Sequence, residues 1–222
     1  MEMTLRWYGS KFDTVTLKQI RQIPGVKGVI TTLYDTQPGE VWSRERIRAM
    51  KDEVEAAGLH IAGIESVNIH DAIKTGAPER EQYIANYIET LENLGQEDIH
   101  LVCYNFMPVF DWTRTDLFHP VGDGSTALYY EASRIHDDPK EMADYILNNL
   151  HGLTFPGWEP ERMAKLDELF AAYKPVDKEA LWANLKYFLE AIMPTCRECD
   201  IKMAIHMDDP PWDIFGLPRL LT

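Results

Sequence analysis

The chain has few cysteines, no long apolar run and far fewer basic than acidic side chains, and each shortage excludes a class of protein. Three cysteines in 222 residues, an odd number, indicate a reducing compartment rather than a disulfide framework, so we expect a cytoplasmic protein. No segment approaches the roughly 20 apolar residues of a membrane helix, and the opening MEMTLRWYGSKFD lacks the apolar run of a signal peptide. With 22 basic against 36 acidic residues, the net charge of -14 predicts neither a nucleic-acid partner nor an anionic membrane surface.

Apolar runs alternate with amphipathic segments along the chain, a pattern typical of parallel sheets in α/β proteins. Strands are predicted at five places, residues 5–9, 26–34, 60–67, 99–106 and 201–206. No GxGxxG or GxxxxGK[ST] motif follows a strand, which counts against a nucleotide-binding open sheet and favours a TIM (β/α)₈ barrel. Residues 107–176 interrupt the alternation and are predicted to be a long insertion after strand four. We therefore expect residues 1–222 to be one domain holding about five of the eight barrel strands.

Helices are predicted from apolar spacing and from the residues that begin and end them. Ser43 is placed to cap a helix that Gly58 ends, and a longer apolar stripe from residue 83 ends at Gly95. Another helix covers residues 181–192, and the insertion contains two helix-like pieces, DPKEMADYILNNL and EPERMAKLDELFAAY.

Polar side chains follow the predicted strands, where the active sites of barrels lie. His206 comes directly after strand five, with Asp208 and Asp209 close behind it, so it is either a metal ligand with acidic partners or a hydrogen-bonded structural histidine. Glu65 at the end of strand three is either a ligand or general base, or one half of a salt bridge at the rim. The Cys196–Cys199 pair lies in the last turn of a helix and lacks a second pair, which favours two partly buried thiols over a zinc site.

The segment CYNFMPVFDWTR, residues 103–114, places an amide, a carboxylate, an indole and a guanidinium just beyond strand four. Arg114 suits a carboxylate, while Asn105 and Asp111 suit hydroxyls, so the segment with Trp112 could hold a polyhydroxylated anion. The alternative is a loop that packs on its own aromatic side chains.

Together with this segment, RWYG, IES, LWANLKYFLEAIMP, MAIHMDDPP and FGLPR closely resemble the mannonate dehydratases of hexuronate breakdown. The resemblance implies a sugar-isomerase-like TIM barrel that dehydrates D-mannonate to 2-keto-3-deoxy-D-gluconate with Mn²⁺ or Fe²⁺. The family binds its metal through a His, a Cys, a second His and an Asp, of which only the first maps here, onto His206. The other ligands and the proton-transfer residues are expected beyond residue 222. Met207 departs from the family, whose members carry Pro there.

These observations lead to one functional hypothesis and two alternatives. We expect a metal-dependent hydro-lyase acting on a sugar acid as a homo-oligomer, and we expect residues 1–222 alone to be inactive and to bind Mn²⁺ weakly. The alternatives are a metal-dependent sugar isomerase on the same barrel and a non-catalytic sugar-acid binding chain. The predicted metal ligand is His206, and the predicted substrate-binding residues are Glu65, Asn105, Asp111, Trp112, Arg114, Asp208 and Asp209.

Overall fold

The computed structural model describes residues 2–151, 158 and 160–221, which divide into two compact units. Unit 1 consists of Met1–Phe106 with Trp182–His206, and unit 2 consists of Met107–Leu181 with Met207–Thr222. The elements follow in the order β1 (Met3–Arg6), α1 (Leu17–Arg21), β2 (Val26–Thr31), α2 (Arg44–Ala56), β3 (His60–Glu65), α3 (Asp71–Thr75), α4 (Arg80–Gln96), β4 (Leu101–Tyr104), β5 (Asp116–Pro120), β6 (Thr126–Tyr129), a 3₁₀ helix (Ala132–Arg134), α5 (Pro139–Asn148), α6 (Pro160–Met163), α7 (Leu166–Tyr173), α8 (Lys178–Glu198) and β7 (Lys202–Ile205).

Unit 1 is built on a five-stranded parallel sheet in the order β1-β2-β3-β4-β7. Each strand lies beside the next one in the unit, as in consecutive strands of a (β/α)₈ barrel, and β1 and β7 form the two edges. Part of the core lies between the first strands and their helices, where Trp7, Ile20, Val29 and Val54 are buried together. The predicted α/β class is therefore confirmed, and each of the five predicted strands overlaps an observed one. The first prediction, residues 5–9, was placed too far along the chain, because β1 is Met3–Arg6 and residues 7–9 lie beyond it.

Helix boundaries in unit 1 agree with the capping residues in the sequence, with one exception. The Ser43 hydroxyl accepts a hydrogen bond from the Arg46 amide at 3.4 Å, and Gly58, at φ +74°, follows the end of α2. Gly95 was predicted to end a helix, but α4 continues through it to Gln96. A Cβ on Gly95 would lie 2.8 Å from the Cβ of Cys199, so the glycine is needed for close packing rather than for termination.

Unit 2 contains the segment predicted as an insertion and has more regular structure than the sequence indicated. The two helix-like pieces correspond to α5 and to α6 with α7, although Glu159 at the start of the second piece lies outside the described residues. The antiparallel hairpin of β5 and β6 was not predicted. All four residues of β6 are exposed, so this strand lacks the apolar alternation by which strands are recognised in sequence.

The three cysteines, Cys103, Cys196 and Cys199, are free thiols, as expected for the CxxC pair in particular. Cys196 is buried and Cys199 is partly exposed at the end of α8. None of the described helices is both long enough and apolar enough to cross a membrane.

Candidate functional site

The register of the parallel sheet places three of the predicted site residues on one face of unit 1. Glu65 in β3 pairs with Cys103 in β4, and Cys103 pairs with Ala204 in β7. Side chains two residues apart point to the same face, so Asn105 and His206 continue this row one step towards the carboxyl end. The amide of His206 donates a 2.7 Å hydrogen bond to the Tyr104 carbonyl, which extends the ladder to this point. The structure therefore brings Glu65, Asn105 and His206 to the same face and end of the sheet.

Glu65 is held by an arginine that the sequence analysis did not single out. The Arg6 Nη1 atom lies 2.6 Å from Glu65 Oε2, and Arg6 Nη2 donates a 2.6 Å hydrogen bond to the Tyr34 hydroxyl. Burial raises the pKa of Tyr34 far above its usual value, and the Arg6 charge offsets only part of that effect. Burial also raises the pKa of the neighbouring Cys103 thiol, and the Glu65 charge adds to the increase. At neutral pH Tyr34 and Cys103 therefore stay protonated beside the Arg6–Glu65 ion pair.

Arg6 was missed because it lies inside the run LRWYG, which was interpreted only as an apolar strand. The sequence feature that could have revealed it is a cation on a short strand, with Tyr34 just beyond the next strand and Glu65 at the end of the one after it.

His206 is an exposed residue directly after β7. The carboxylates that follow it, which were expected to act as its acidic partners, are both used inside unit 2. Asp208 is buried and accepts hydrogen bonds from the amides of Leu220 at 2.5 Å and Leu221 at 3.2 Å. Asp209 is paired with Arg114. The position of His206 agrees with the prediction, but its acidic neighbours also have structural roles.

Arg114 and Asp209 form a bidentate ion pair in unit 2. Arg114 Nη1 and Nη2 donate to the two carboxylate oxygens of Asp209 at 2.6 and 2.5 Å, and Nη1 also donates to the Thr113 carbonyl at 2.9 Å. The side chains are only 19% and 26% exposed. The edge of the guanidinium formed by Nε and Nη2 makes no further hydrogen bond to the described residues. This edge can take a second carboxylate in the same planar geometry.

Two further arginines hold the loop that carries Asp111 and Trp112. Arg219, which is fully buried, donates from Nη1 and Nη2 to the Phe110 carbonyl at 3.1 and 3.2 Å. Arg162 donates from Nη2 to the preceding carbonyl, that of Val109, at 2.8 Å. Val109 has φ +58°, a strained conformation for a β-branched residue, and these bonds help to stabilise it.

Within this loop, Trp112 and Asp111 have different surroundings. The Trp112 carbonyl accepts a 3.1 Å hydrogen bond from Trp158 Nε1, and the centres of the two side-chain rings lie 5.6 Å apart. Asp111 is close enough for its charge to act on Arg219, whose pKa burial lowers and the surrounding carboxylates raise in part. The aromatic packing that was the alternative interpretation of this segment is therefore present alongside the polar groups.

A cavity of about 240 Å³ lies at the carboxyl ends of β1 and β2. Trp7, Phe12, Tyr34 and Met50 contribute to its walls, and none of the predicted site residues does. It is smaller than the usual small-molecule pocket.

The described residues do not form a metal site by themselves. Across residues 2–151, 158 and 160–221, no three His, Cys, Asp or Glu side chains come together in a group that could hold a metal ion. Tight sites for divalent transition metals assemble several ligands, so His206 alone does not suffice.

Comparison with known proteins gives one consistent result. The family model described as D-mannonate dehydratase (UxuA) matches residues 1–222. The chain is 62% identical to a mannonate dehydratase of Brachyspira hyodysenteriae and 51% identical to one of Bacillus subtilis, in both cases over its whole length. It covers 63% and 62% of those proteins, so it spans less than two thirds of their length.

A solved structure agrees with these sequence matches. The crystal structure of mannonate dehydratase from Streptococcus suis serotype 2 superposes with a TM-score of 0.82 at 46% identity, over 100% of this chain and 58% of that one. The residues matched by the family model include both the strand ends and the loop segment described above. The chain therefore belongs to the D-mannonate dehydratase (UxuA) family.

Proposed function

We propose that the whole protein is a hydro-lyase that converts D-mannonate into 2-keto-3-deoxy-D-gluconate. The observation that carries this proposal is the match to the dehydratase family along all 222 residues. The polar row formed by Glu65, Asn105 and His206 at the carboxyl end of the sheet supports it, since this is the end at which barrel enzymes act.

The reaction sets clear demands on the protein. It breaks the C2–H and C3–O bonds of the sugar acid, releases one water molecule and leaves an enol that becomes the 2-keto group. Removing a proton next to a carboxylate builds negative charge, so the carboxylate must be held by fixed positive groups. The open edge of the Arg114 guanidinium is suited to this purpose, and its pairing with Asp209 fixes the plane in which it binds.

Hydroxyl groups of the substrate require acceptors and donors on a rigid frame. Asn105 and Glu65 are supplied by adjacent parallel strands, and Asp111 lies on a loop that two arginines hold in place. In this proposal these residues bind and orient the sugar acid, while Trp112 and Asp208 shape the loops around it. The proton-transfer groups stay assigned to the part of the protein beyond residue 222.

The proposal includes Mn²⁺ or Fe²⁺ as the cofactor, with His206 as one ligand. A divalent cation would supply the charge that stabilises the carbanion-like intermediate. Because the described residues supply no group of three candidate ligands, the other ligands have to come from elsewhere in the protein. The weak binding of Mn²⁺ by residues 1–222 alone stays a prediction, as do the cytoplasmic location, the homo-oligomer and the absence of nucleic-acid and membrane partners.

The test compares dehydration with the two alternatives. The purified whole protein is treated with a chelator, supplied with Mn²⁺ or Fe²⁺ and incubated with D-mannonate, and the 2-keto acid is measured. Parallel reactions with aldoses and ketoses measure isomerisation. Metal-dependent formation of the 2-keto acid supports the proposal. Isomerisation without dehydration would favour the isomerase, and binding of D-mannonate without turnover of any substrate would favour the non-catalytic chain.

A further inference from the structure

We propose that Arg6 is a positioning residue of the sugar-acid site, which holds the Glu65 carboxylate and the Tyr34 hydroxyl so that both can bind substrate hydroxyls. This inference rests on the proposed function, since it concerns the same end of the same sheet. It adds Arg6 and Tyr34 to the predicted substrate-binding residues, of which Glu65 is already one.

The sheet register shows that Arg6 is directed towards the carboxyl end. Arg6 pairs with Ile30 of β2, and Ile30 pairs with Gly63 of β3, so Gly63 is the residue of β3 level with Arg6. Glu65 lies two residues further along on the same face. The Arg6 side chain thus extends across β2, over two strand spacings of about 4.8 Å each. It also extends two residues towards the carboxyl end, where it contacts Glu65 at the end of β3.

The guanidinium is fixed on several sides. Nη1 contacts Glu65 and Nη2 contacts the Tyr34 hydroxyl, each at 2.6 Å. The central carbon of the guanidinium lies 5.1 Å from the ring centre of Tyr8 and 5.8 Å from that of Tyr34, within range of cation–π contacts. A planar cation restrained in this way determines where both of its partners lie.

Both partners keep a polar atom available for a ligand. Only Oε2 of Glu65 is engaged by Arg6, and none of the described residues makes a hydrogen bond to Oε1. The Tyr34 hydroxyl accepts from Arg6 and retains its own proton, because burial raises the pKa of the phenol. The pair therefore offers one acceptor and one donor, the combination that recognises neighbouring hydroxyls of a sugar acid.

A purely structural role explains this arrangement poorly. The Arg6 and Glu65 side chains are 23% and 39% exposed, and ion pairs with this degree of exposure add little to stability. The Nε atom of Arg6 is buried and has no hydrogen-bond partner among the described residues, which is unfavourable for folding. Binding of a substrate beside Arg6, Glu65 and Tyr34 would explain this arrangement, which fold stability does not.

The test measures turnover of D-mannonate by the whole protein and its direct binding by calorimetry. Arg6→Met is expected to lower kcat/KM and to weaken binding at least tenfold, whereas Arg6→Lys, which retains the charge, recovers part of the loss. Arg80→Met is the matched control, because Arg80 also combines an ion pair, with Glu81, and a cation–π contact, with Tyr187 at 3.8 Å. Its side chain has a similar exposure, 26%, and Arg80 is the first residue of helix α4 rather than a residue of the sheet. This control should retain wild-type kinetics and binding.

A double-variant comparison separates positioning from stability. If Arg6 acts through Glu65, Arg6→Met should cause much less further loss in a Glu65→Gln background than in the wild-type protein. Additive losses, or Arg6→Met kinetics and binding equal to wild type, would overturn the inference while wild-type dehydration would leave the proposed function intact. If the wild-type protein neither binds nor dehydrates D-mannonate, the proposed function and this inference fail together.

Discussion

The Arg114 guanidinium is the point at which removal of one side chain should most clearly reduce substrate binding. Arg114→Ala removes the edge formed by Nε and Nη2, to which we assign the substrate carboxylate, as well as the two bonds to Asp209. A charge-assisted pair of this kind contributes about 1.5 to 3 kcal/mol. Since each 1.4 kcal/mol corresponds to about a tenfold change, KM for D-mannonate should rise roughly 10- to 150-fold. Steady-state kinetics of the whole protein measures this effect.

A companion variant distinguishes substrate binding from loop stability. Asp209→Ala breaks the same ion pair but leaves the guanidinium in place, so its effect on KM should be clearly smaller than that of Arg114→Ala. Thermal unfolding of both variants measures the loss of folding stability that each suffers when the ion pair is broken. Unchanged kinetics in Arg114→Ala would remove Arg114 from the site. Equal increases in KM for the two variants would show that Arg114 serves only to hold Asp209.

Two predictions concern the stability of unit 1. Gly95→Ala should lower the free energy of unfolding by about 1 to 2 kcal/mol, because the new Cβ meets the Cβ of Cys199 at 2.8 Å. Chemical denaturation should show that Gly95→Ala no longer lowers the free energy of unfolding in a Cys199→Gly background. The loss should persist in a Cys199→Ala background, which keeps the obstructing Cβ. Glu97, 1% exposed, contacts Arg44 and Arg48 at 2.5 and 2.6 Å, so Glu97→Gln should cost about 1 to 3 kcal/mol at neutral pH. Burial raises the pKa of Glu97, but the two arginines outweigh it and hold the pKa below its usual value. The difference in stability between the wild-type protein and the Glu97→Gln variant should therefore be full above about pH 4.3 and shrink as the pH falls further, and denaturation at several pH values that shows no such decrease would refute this explanation.

The regular elements of unit 1 could be predicted from the sequence because their signals are local. Ser43 and Gly58 mark the ends of α2 through backbone preferences that depend on a few neighbouring residues. The interpretation of Gly95 failed because a glycine at a helix end and a glycine at a close helix contact look alike in sequence. Only the three-dimensional contact with Cys199 distinguishes them.

The common position of Glu65, Asn105 and His206 could be predicted for a similar reason. Each stands at or directly after the end of a strand, and parallel pairing brings strand ends together. Their roles in binding stay predictions. The pairing of Arg114 with Asp209 joins residues 95 positions apart, and nothing in either segment specifies it. Arg6 was missed because a single charge within an apolar run gives no indication of its partners, of which Tyr34 lies beyond the end of β2 and Glu65 is the last residue of β3.

The most direct test of the account is the rate of 2-keto-3-deoxy-D-gluconate formation as Mn²⁺ is added to the chelator-treated whole protein and to its His206→Ala variant. The wild-type rate should rise and saturate near one Mn²⁺ per chain, while His206→Ala should stay inactive at the same Mn²⁺ concentration. His100→Ala is the control, since His100 bonds Asp98 and the Cys199 carbonyl at the opposite end of β4, and it should behave like the wild type. A His206→Ala protein with the same Mn²⁺ dependence and rate as the wild type would contradict the assignment of the site to the carboxyl end of β7.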